Sequence, residues 1–156
     1  MERNNTLTLG SLFDGSGGFP LGGLLAGITP VWASEIEPFP IRVTTRRFPN
    51  MKHYGDISQM DGGKIEPVDI ITFGSPCTDM SIAGKRAGLD GAQSSLFYQA
   101  IRIIKEMRCA TNGRYPRWIC WENVIGAFSS NRGRDFKAVL EAVIGIIEPG
   151  AEVPMP

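Results

Sequence analysis

The sequence predicts an α/β fold, a doubly wound and mainly parallel sheet with helices on both faces. Three observations carry that expectation. Strand-like and helix-period runs alternate along the whole chain, the pattern of right-handed βαβ units. Asp69-Ile70-Ile71-Thr72-Phe73 is a continuous apolar run, as expected of a strand covered on both sides. Gly and Pro, 19 and 11 residues, fall largely at the boundaries between these runs.

The elements follow in order. Thr6 to Phe13 reads as a strand that runs into the glycine-rich turn Asp14-Gly15-Ser16-Gly17-Gly18. Phe19 to Gly27 reads as a short helix with Leu21, Leu24 and Leu25 on its inner side. Val31 to Glu35 is a second strand, and Pro38 to Phe48 a second helix with proline in its first turn. His53 to Gly55 is a short third strand and Asp69 to Phe73 a fourth. Gly74 to Gly91 is a long loop. Ser94 to Met107 is the clearest helix, with Leu96, Ala100, Ile103, Ile104 and Met107 at helical spacing. Arg117 to Glu122 reads as another buried strand. Asp135 to Ile147 reads as an amphipathic helix with Phe136, Val139, Leu140, Val143 and Ile147 on one face. No linker or repeat divides the chain, so residues 1–156 are expected to form one domain.

With 156 residues, 42% hydrophobic and 21% charged, the composition excludes a disordered tail, a collagen-like repeat and a coiled coil. The longest apolar runs are broken by glycine or charge, and Met1 to Asn5 lacks the apolar core of a signal peptide, so a cytoplasmic location is expected. Net charge is zero but unevenly spread. Residues 81–137 carry 10 basic and 4 acidic side chains, which suits an anionic partner or simply a solvated surface. Three cysteines, Cys77, Cys109 and Cys120, without CxxC spacing argue against a disulfide framework or a zinc site. His53 is the single histidine and is far in sequence from every nucleophile candidate.

The glycine-rich turn sits at the carboxyl end of the first strand, where open α/β sheets bind ligands. The next strand ends in Glu35, twenty residues after Gly15, a spacing that suits a carboxylate accepting ribose hydroxyls. Pro20 replaces the third glycine of the dinucleotide pattern, and Asp14 puts negative charge where a pyrophosphate would sit. A cofactor with an adenosine, no phosphate and a positive centre fits better, and S-adenosylmethionine has those properties. The competing reading is a plain connector with a solvent-facing Glu35. Asp56 is either an acceptor for the adenine amino group or an ordinary turn cap.

Gly74-Ser75-Pro76-Cys77 places a cysteine at the end of a central strand, beside that turn. As a thiolate, Cys77 could attack an electron-poor ring carbon; as a structural residue it would simply be buried. Cys120, between Ile119 and Trp121, suits the buried structural role, and Cys109 reads as incidental. Glu122-Asn123 ends the next strand at the same sheet edge. After Trp118-Ile119-Cys120-Trp121, a partly desolvated Glu122 is expected, either poised for general acid work or capping a helix.

Phe13-Asp14-Gly15-Ser16-Gly17-Gly18, Glu35, Gly55-Asp56-Ile57, Gly74-Ser75-Pro76-Cys77 and Glu122-Asn123-Val124 together resemble the ordered motifs of the cytosine-C5 DNA methyltransferases. The resemblance covers about Leu7 to Ile147. It implies a Rossmann-like methyltransferase fold that uses S-adenosylmethionine and acts on double-stranded DNA. It also implies that Cys77 attacks C6 of a flipped cytosine while Glu122 engages N3, so that C5 takes the methyl group. Phe13, Asp14, Gly15, Gly17, Gly18, Glu35, Ile36, Asp56, Ile57 and Leu96 would line the cofactor site. Pro76 would help orient the base and Asn123 would buttress the strand end. Gly84-Lys85-Arg86-Ala87-Gly88 resembles the family's mobile loop, in which Ser81, Lys85 and Arg86 would meet DNA.

Thr78 stands where the family often has Gln, and Asp14 where a small residue is common. The family's arginine motif, target-recognition domain and late cofactor motif are not found here. The chain is therefore expected to be the amino-terminal portion of a catalytic domain, truncated on its C-terminal side and lacking a target-recognition domain. It would be an engineered piece, a truncated gene product or half of a split enzyme. Inactivity alone, a missing C-terminal segment or partner chain, and self-association through an exposed sheet edge follow as expectations. A bacterial or phage origin and an accompanying restriction enzyme fit the family. The alternatives are an RNA cytosine methyltransferase and a catalytically silent cofactor-binding half.

Overall fold

A computed structural model describes residues 6–74 and 96–154, without the side chains of 130 and 131. The order is β1 (Thr8–Leu12), α1 (Gly18–Leu25), β2 (Thr29–Ser34), α2 (Pro38–Arg47), β3 (Lys52–His53), a 3-10 turn (Ile57–Gln59) and β4 (Ile70–Phe73). Then come α3 (Leu96–Ala110), β5 (Trp118–Trp121), the short α4 (Gly126–Ser129), a 3-10 turn (Ser130–Gly133) and α5 (Arg134–Ile144). The five strands form one sheet in the order β3-β2-β1-β4-β5, every pairing parallel. The predicted architecture and each predicted strand and helix are present, with ends shifted by a few residues. Among the described residues no helix is long and apolar enough to cross a membrane.

In this strand order the chain reverses direction of winding between β1 and β4, which opens a crevice at their carboxyl ends. Alternation of side chains sends Leu12, Trp32, Ile71 and Phe73 to the main core, where they meet Phe97, Ile103, Ile104 and Met107 of α3. Each such fully buried side chain contributes roughly 1.5–3 kcal/mol. Gly10 is required by this packing, because the Trp32 indole lies where its Cβ would be. The indole N–H donates to the Glu66 carbonyl at 2.9 Å. At the opposite end of the sheet, Thr8 and Asp69 exchange hydrogen bonds of 3.0 Å, which fixes the register of β1 against β4.

Three expectations are corrected. In α1 the inward residues are Pro20 and Gly23, while Leu21, Leu24 and Leu25 are exposed. The helix lies so close to the sheet that a Cβ on Gly23 would sit 3.3 Å from Leu9 Cδ1, leaving no room for leucine on that side. Among the described residues β5 is not a buried strand but the sheet edge, with Trp118 65% exposed and Cys120 exposed as well, so Cys120 is no core cysteine. In α5 Val139 is buried and Phe136, Leu140 and Val143 are half-buried as expected, but Ile147 lies beyond the helix and is exposed.

Candidate functional site

The loop after β1 is built from unusual backbone. Phe13, Gly15 and Gly17 have positive φ values of 54°, 56° and 88°. Gly17 is needed twice over, since its Cβ would also lie 2.8 Å from Thr44 Cγ2 of α2. The Asp14 N–H donates to the Ser34 carbonyl (3.0 Å), and Gly17 caps α1 with no side-chain partner for the first N–H groups of the helix.

Asp14 is 6% exposed. Its Oδ1 accepts the Ser11 hydroxyl at 2.7 Å, whereas its buried Oδ2 has no partner among the described residues. Burial drives its pKa up to about 6; the Ser11 hydrogen bond opposes the rise and the Glu35 charge adds to it.

Glu35, at the end of β2, ties the loop to the sheet. Its Oε2 accepts the Gly15 N–H at 2.8 Å, and its Oε1 accepts the N–H groups of Ile36 and Glu37 at 2.7 and 3.0 Å. Three of roughly four acceptor directions of this carboxylate are thus taken by backbone. Ile36 itself is exposed. Further along the edge, the Ser34 hydroxyl donates to the Gly55 carbonyl at 2.7 Å, and Asp56 caps the 3-10 turn by accepting the Ser58 N–H at 2.8 Å. The cap is the simpler of the two roles weighed for Asp56. Ile57 is packed in the core.

At β4 and β5, the Glu122 N–H donates to the Phe73 carbonyl at 3.0 Å, and a Cβ built on Gly74 would lie 2.9 Å from Glu122 Oε2. Glu122 therefore leans over the start of the segment that carries Cys77. Glu122 is exposed rather than partly desolvated, because β5 is the edge strand. The aromatic series Phe73, Phe97, Trp121 and Phe136, with centroids 6.1 to 6.5 Å apart, braces this strand end from below. The Asn123 Oδ1 accepts the Val124 N–H at 2.8 Å.

The structure thus brings Phe13 to Gly18, Glu35, Asp56, Gly74, Glu122 and Asn123 to the carboxyl ends of the five strands. Leu96 opens α3. Pro76, Cys77, Ser81, Lys85 and Arg86 lie outside the described residues. The His53 Nε2 lies 3.2 Å from the Thr44 hydroxyl.

Two contributors escaped sequence reasoning. Ser11 binds Asp14, a Ser-x-x-Asp spacing that signals such a contact. Arg102 of α3 donates to the carbonyls of Ile57 and Met60, both at 2.8 Å, and pairs with Glu106 at 2.9 Å, while Glu106 accepts the Gly62 N–H at 2.7 Å. The i, i+4 spacing of Arg102 and Glu106 was the visible signal.

Comparison with known proteins agrees with this fold. A solved structure of a candidate DNA modification methyltransferase from an E. coli prophage superposes with a TM-score of 0.65 at 24% identity, covering 90% of this chain and 38% of that one. It shows the fold. The Type II methyltransferase M1.ScrFI of Lactococcus lactis subsp. cremoris is 36% identical over 85% of this chain and 32% of its own length. M.NlaIV of Neisseria lactamica is 32% identical over 72% of this chain and 27% of its own length. A protein of Escherichia phage P1 named DNA N-6-adenine-methyltransferase is 35% identical over 80% of this chain but only 18% of its own length. This chain therefore spans about a third or less of these three relatives. The model of the C-5 cytosine-specific DNA methylases matches residues 7–146, nearly the whole chain, and the chain belongs to that family.

Proposed function

We propose that this chain is the cofactor-binding and catalytic portion of a DNA cytosine-5 methyltransferase that uses S-adenosylmethionine. The observation that carries the reading is the crevice at the sheet's reversal point, where the loop Phe13 to Gly18 and Glu122 converge from separate strands in a chain of this family. The phage relative's adenine name describes a protein of which this chain matches 18%, so the family match over residues 7–146 weighs more for the base.

The residues present fit the cofactor. A buried acceptor atom on Asp14 has no protein partner among the described residues, and a cofactor bearing N–H donors and positive charge would satisfy it. Glu35, Asp56 and the positive-φ loop would hold the adenosine end, with Phe13, Ile36, Ile57 and Leu96 beside it. When bound, S-adenosylmethionine supplies the methyl group. Cys77 would attack C6 of the flipped cytosine, and Glu122 would hold a proton at N3 so that negative charge does not build up in the ring. Pro76 would orient the base, while Ser81, Lys85 and Arg86 would meet the DNA backbone.

The test uses this chain joined to the portion of M1.ScrFI that it does not match, together with DNA containing 5-fluorocytosine. Fluorine at C5 cannot leave as a proton does, so a covalent adduct should accumulate. Cys77→Ser should abolish it and Cys120→Ser should leave it. An adduct mapped to Cys109 or Cys120 overturns the assignment.

A further inference from the structure

We infer that the amino end of the cofactor enters this site in exchange for a proton held on Asp14, so that cofactor binding is coupled to proton release. The inference rests on the cofactor reading given above. Its geometry is a carboxyl group 6% exposed in the loop between β1 and α1, with one oxygen held by Ser11 and the other, also buried, without a partner among the described residues.

A buried carboxyl without a counter-charge is most stable neutral. Among the described residues, the groups packed around Asp14 supply no cation. β1 contributes the Ser11 hydroxyl, and the end of β2 contributes the Glu35 carboxylate, which repels a second negative charge. α1, with the sequence GFPLGGLL, has no ionisable side chain. The β4 end, Phe73-Gly74, has none, and Glu122 of the β5 end leans on Gly74. On α2, Arg42, Arg46 and Arg47 are exposed, and His53 of β3 faces Thr44. Asp14 accordingly titrates near pH 6. An ammonium group brings both the missing positive charge and N–H donors for Oδ2, whereas a sulfonium has no hydrogen to donate. Neutral donors such as ribose hydroxyls do not require the ionised form. The ammonium therefore selects ionised Asp14, and below the pKa the carboxyl must lose its proton to solvent as the ligand enters.

Affinity for a ligand with the amino end should rise as pH rises through 6 and level off above it. Calorimetry on the chain at pH 5, 6 and 7 would compare S-adenosylhomocysteine with methylthioadenosine, which keeps the adenosine and the sulfur but lacks the amino acid end. S-adenosylhomocysteine should bind about tenfold more tightly at pH 7 than at pH 5. Its heat should vary with the ionisation enthalpy of the buffer, reporting the released proton. Methylthioadenosine should change less than twofold. Asp14→Asn, which can still accept the Ser11 hydroxyl, should bind S-adenosylhomocysteine weakly and without pH dependence. Titration of the Asp14 carboxyl by carbon NMR in the wild-type chain gives a check independent of the variant: a pKa in the ordinary carboxylate range overturns the inference. So does a tenfold rise shared by methylthioadenosine or retained by Asp14→Asn. Binding of both ligands with flat pH profiles removes the inference and leaves the cofactor reading standing. No binding of either ligand at any pH removes both.

Discussion

Asp14 and Glu35 sit at neighbouring strand ends and are treated oppositely by their surroundings. Glu35 accepts three backbone N–H bonds, while Asp14 is buried with one hydroxyl partner. A carboxyl raised from 3.8 to about 6 on folding costs stability when ionised. The unfolded chain gives up this proton near pH 4 and the folded chain near pH 6, so the contribution of Asp14 worsens as pH rises across that window. Full expression would amount to about 3 kcal/mol above pH 6. Asp14→Asn should therefore stabilise the ligand-free protein by roughly 1–3 kcal/mol at pH 7.5, with the gain fading toward pH 4. Urea denaturation across that range checks it, and an Asn variant no more stable than wild type at neutral pH contradicts the burial argument. Asp14 was legible in the sequence as a charge at odds with a phosphate. Its environment was not, because burial and the Ser11 contact depend on how the loop folds back.

At the scale of elements, the alternation of runs disclosed the sheet, its parallel pairing and the crevice. What misled were the two places where neighbours decide burial. Leucines at positions 21, 24 and 25 have the spacing of an apolar helix face, yet α1 presents Pro20 and Gly23 inward because only small or compact residues permit so close an approach. Trp118-Ile119-Cys120-Trp121 has the composition of a central strand, yet among the described residues β5 pairs on one side only. Periodicity reports local pattern and not sheet order. The Arg102–Glu106 pair ties α3 to the segment that follows the Asp56 turn, holding the carbonyls of Ile57 and Met60 and the N–H of Gly62. Arg102→Ala leaves those carbonyls unsatisfied, and since Arg102 is partly exposed, water replaces some of the loss. A destabilisation of about 1–2 kcal/mol is expected. Faster amide exchange at Ser58 and Gly62 should accompany it, and exchange that stays at the wild-type rate would show the clamp to be dispensable.

At the scale of the molecule, the chain matches 32% of M1.ScrFI and 38% of the prophage methyltransferase chain. Reading a DNA sequence needs base-edge contacts, and a net charge of zero promises weak nonspecific affinity for phosphates. Much of the rate of such a reaction comes from holding the base and the reacting groups in place. Along one side of the described structure lies the β5 edge, with Trp118, Val124, Ile125 and Phe128 all more than half exposed. A parallel edge with no further partner strand among the described residues, beside exposed apolar side chains, favours association with another chain. The 156-residue chain alone should therefore transfer no methyl group to mixed-sequence DNA and should sediment as concentration-dependent oligomers. Supplying the unmatched portion of M1.ScrFI as a separate polypeptide should yield incorporation of labelled methyl. Trp118→Lys should weaken self-association without restoring transfer. Strong methyl incorporation by the chain alone would mean that these residues contain a complete recognition surface, and a strictly monomeric chain would mean that the β5 edge is protected.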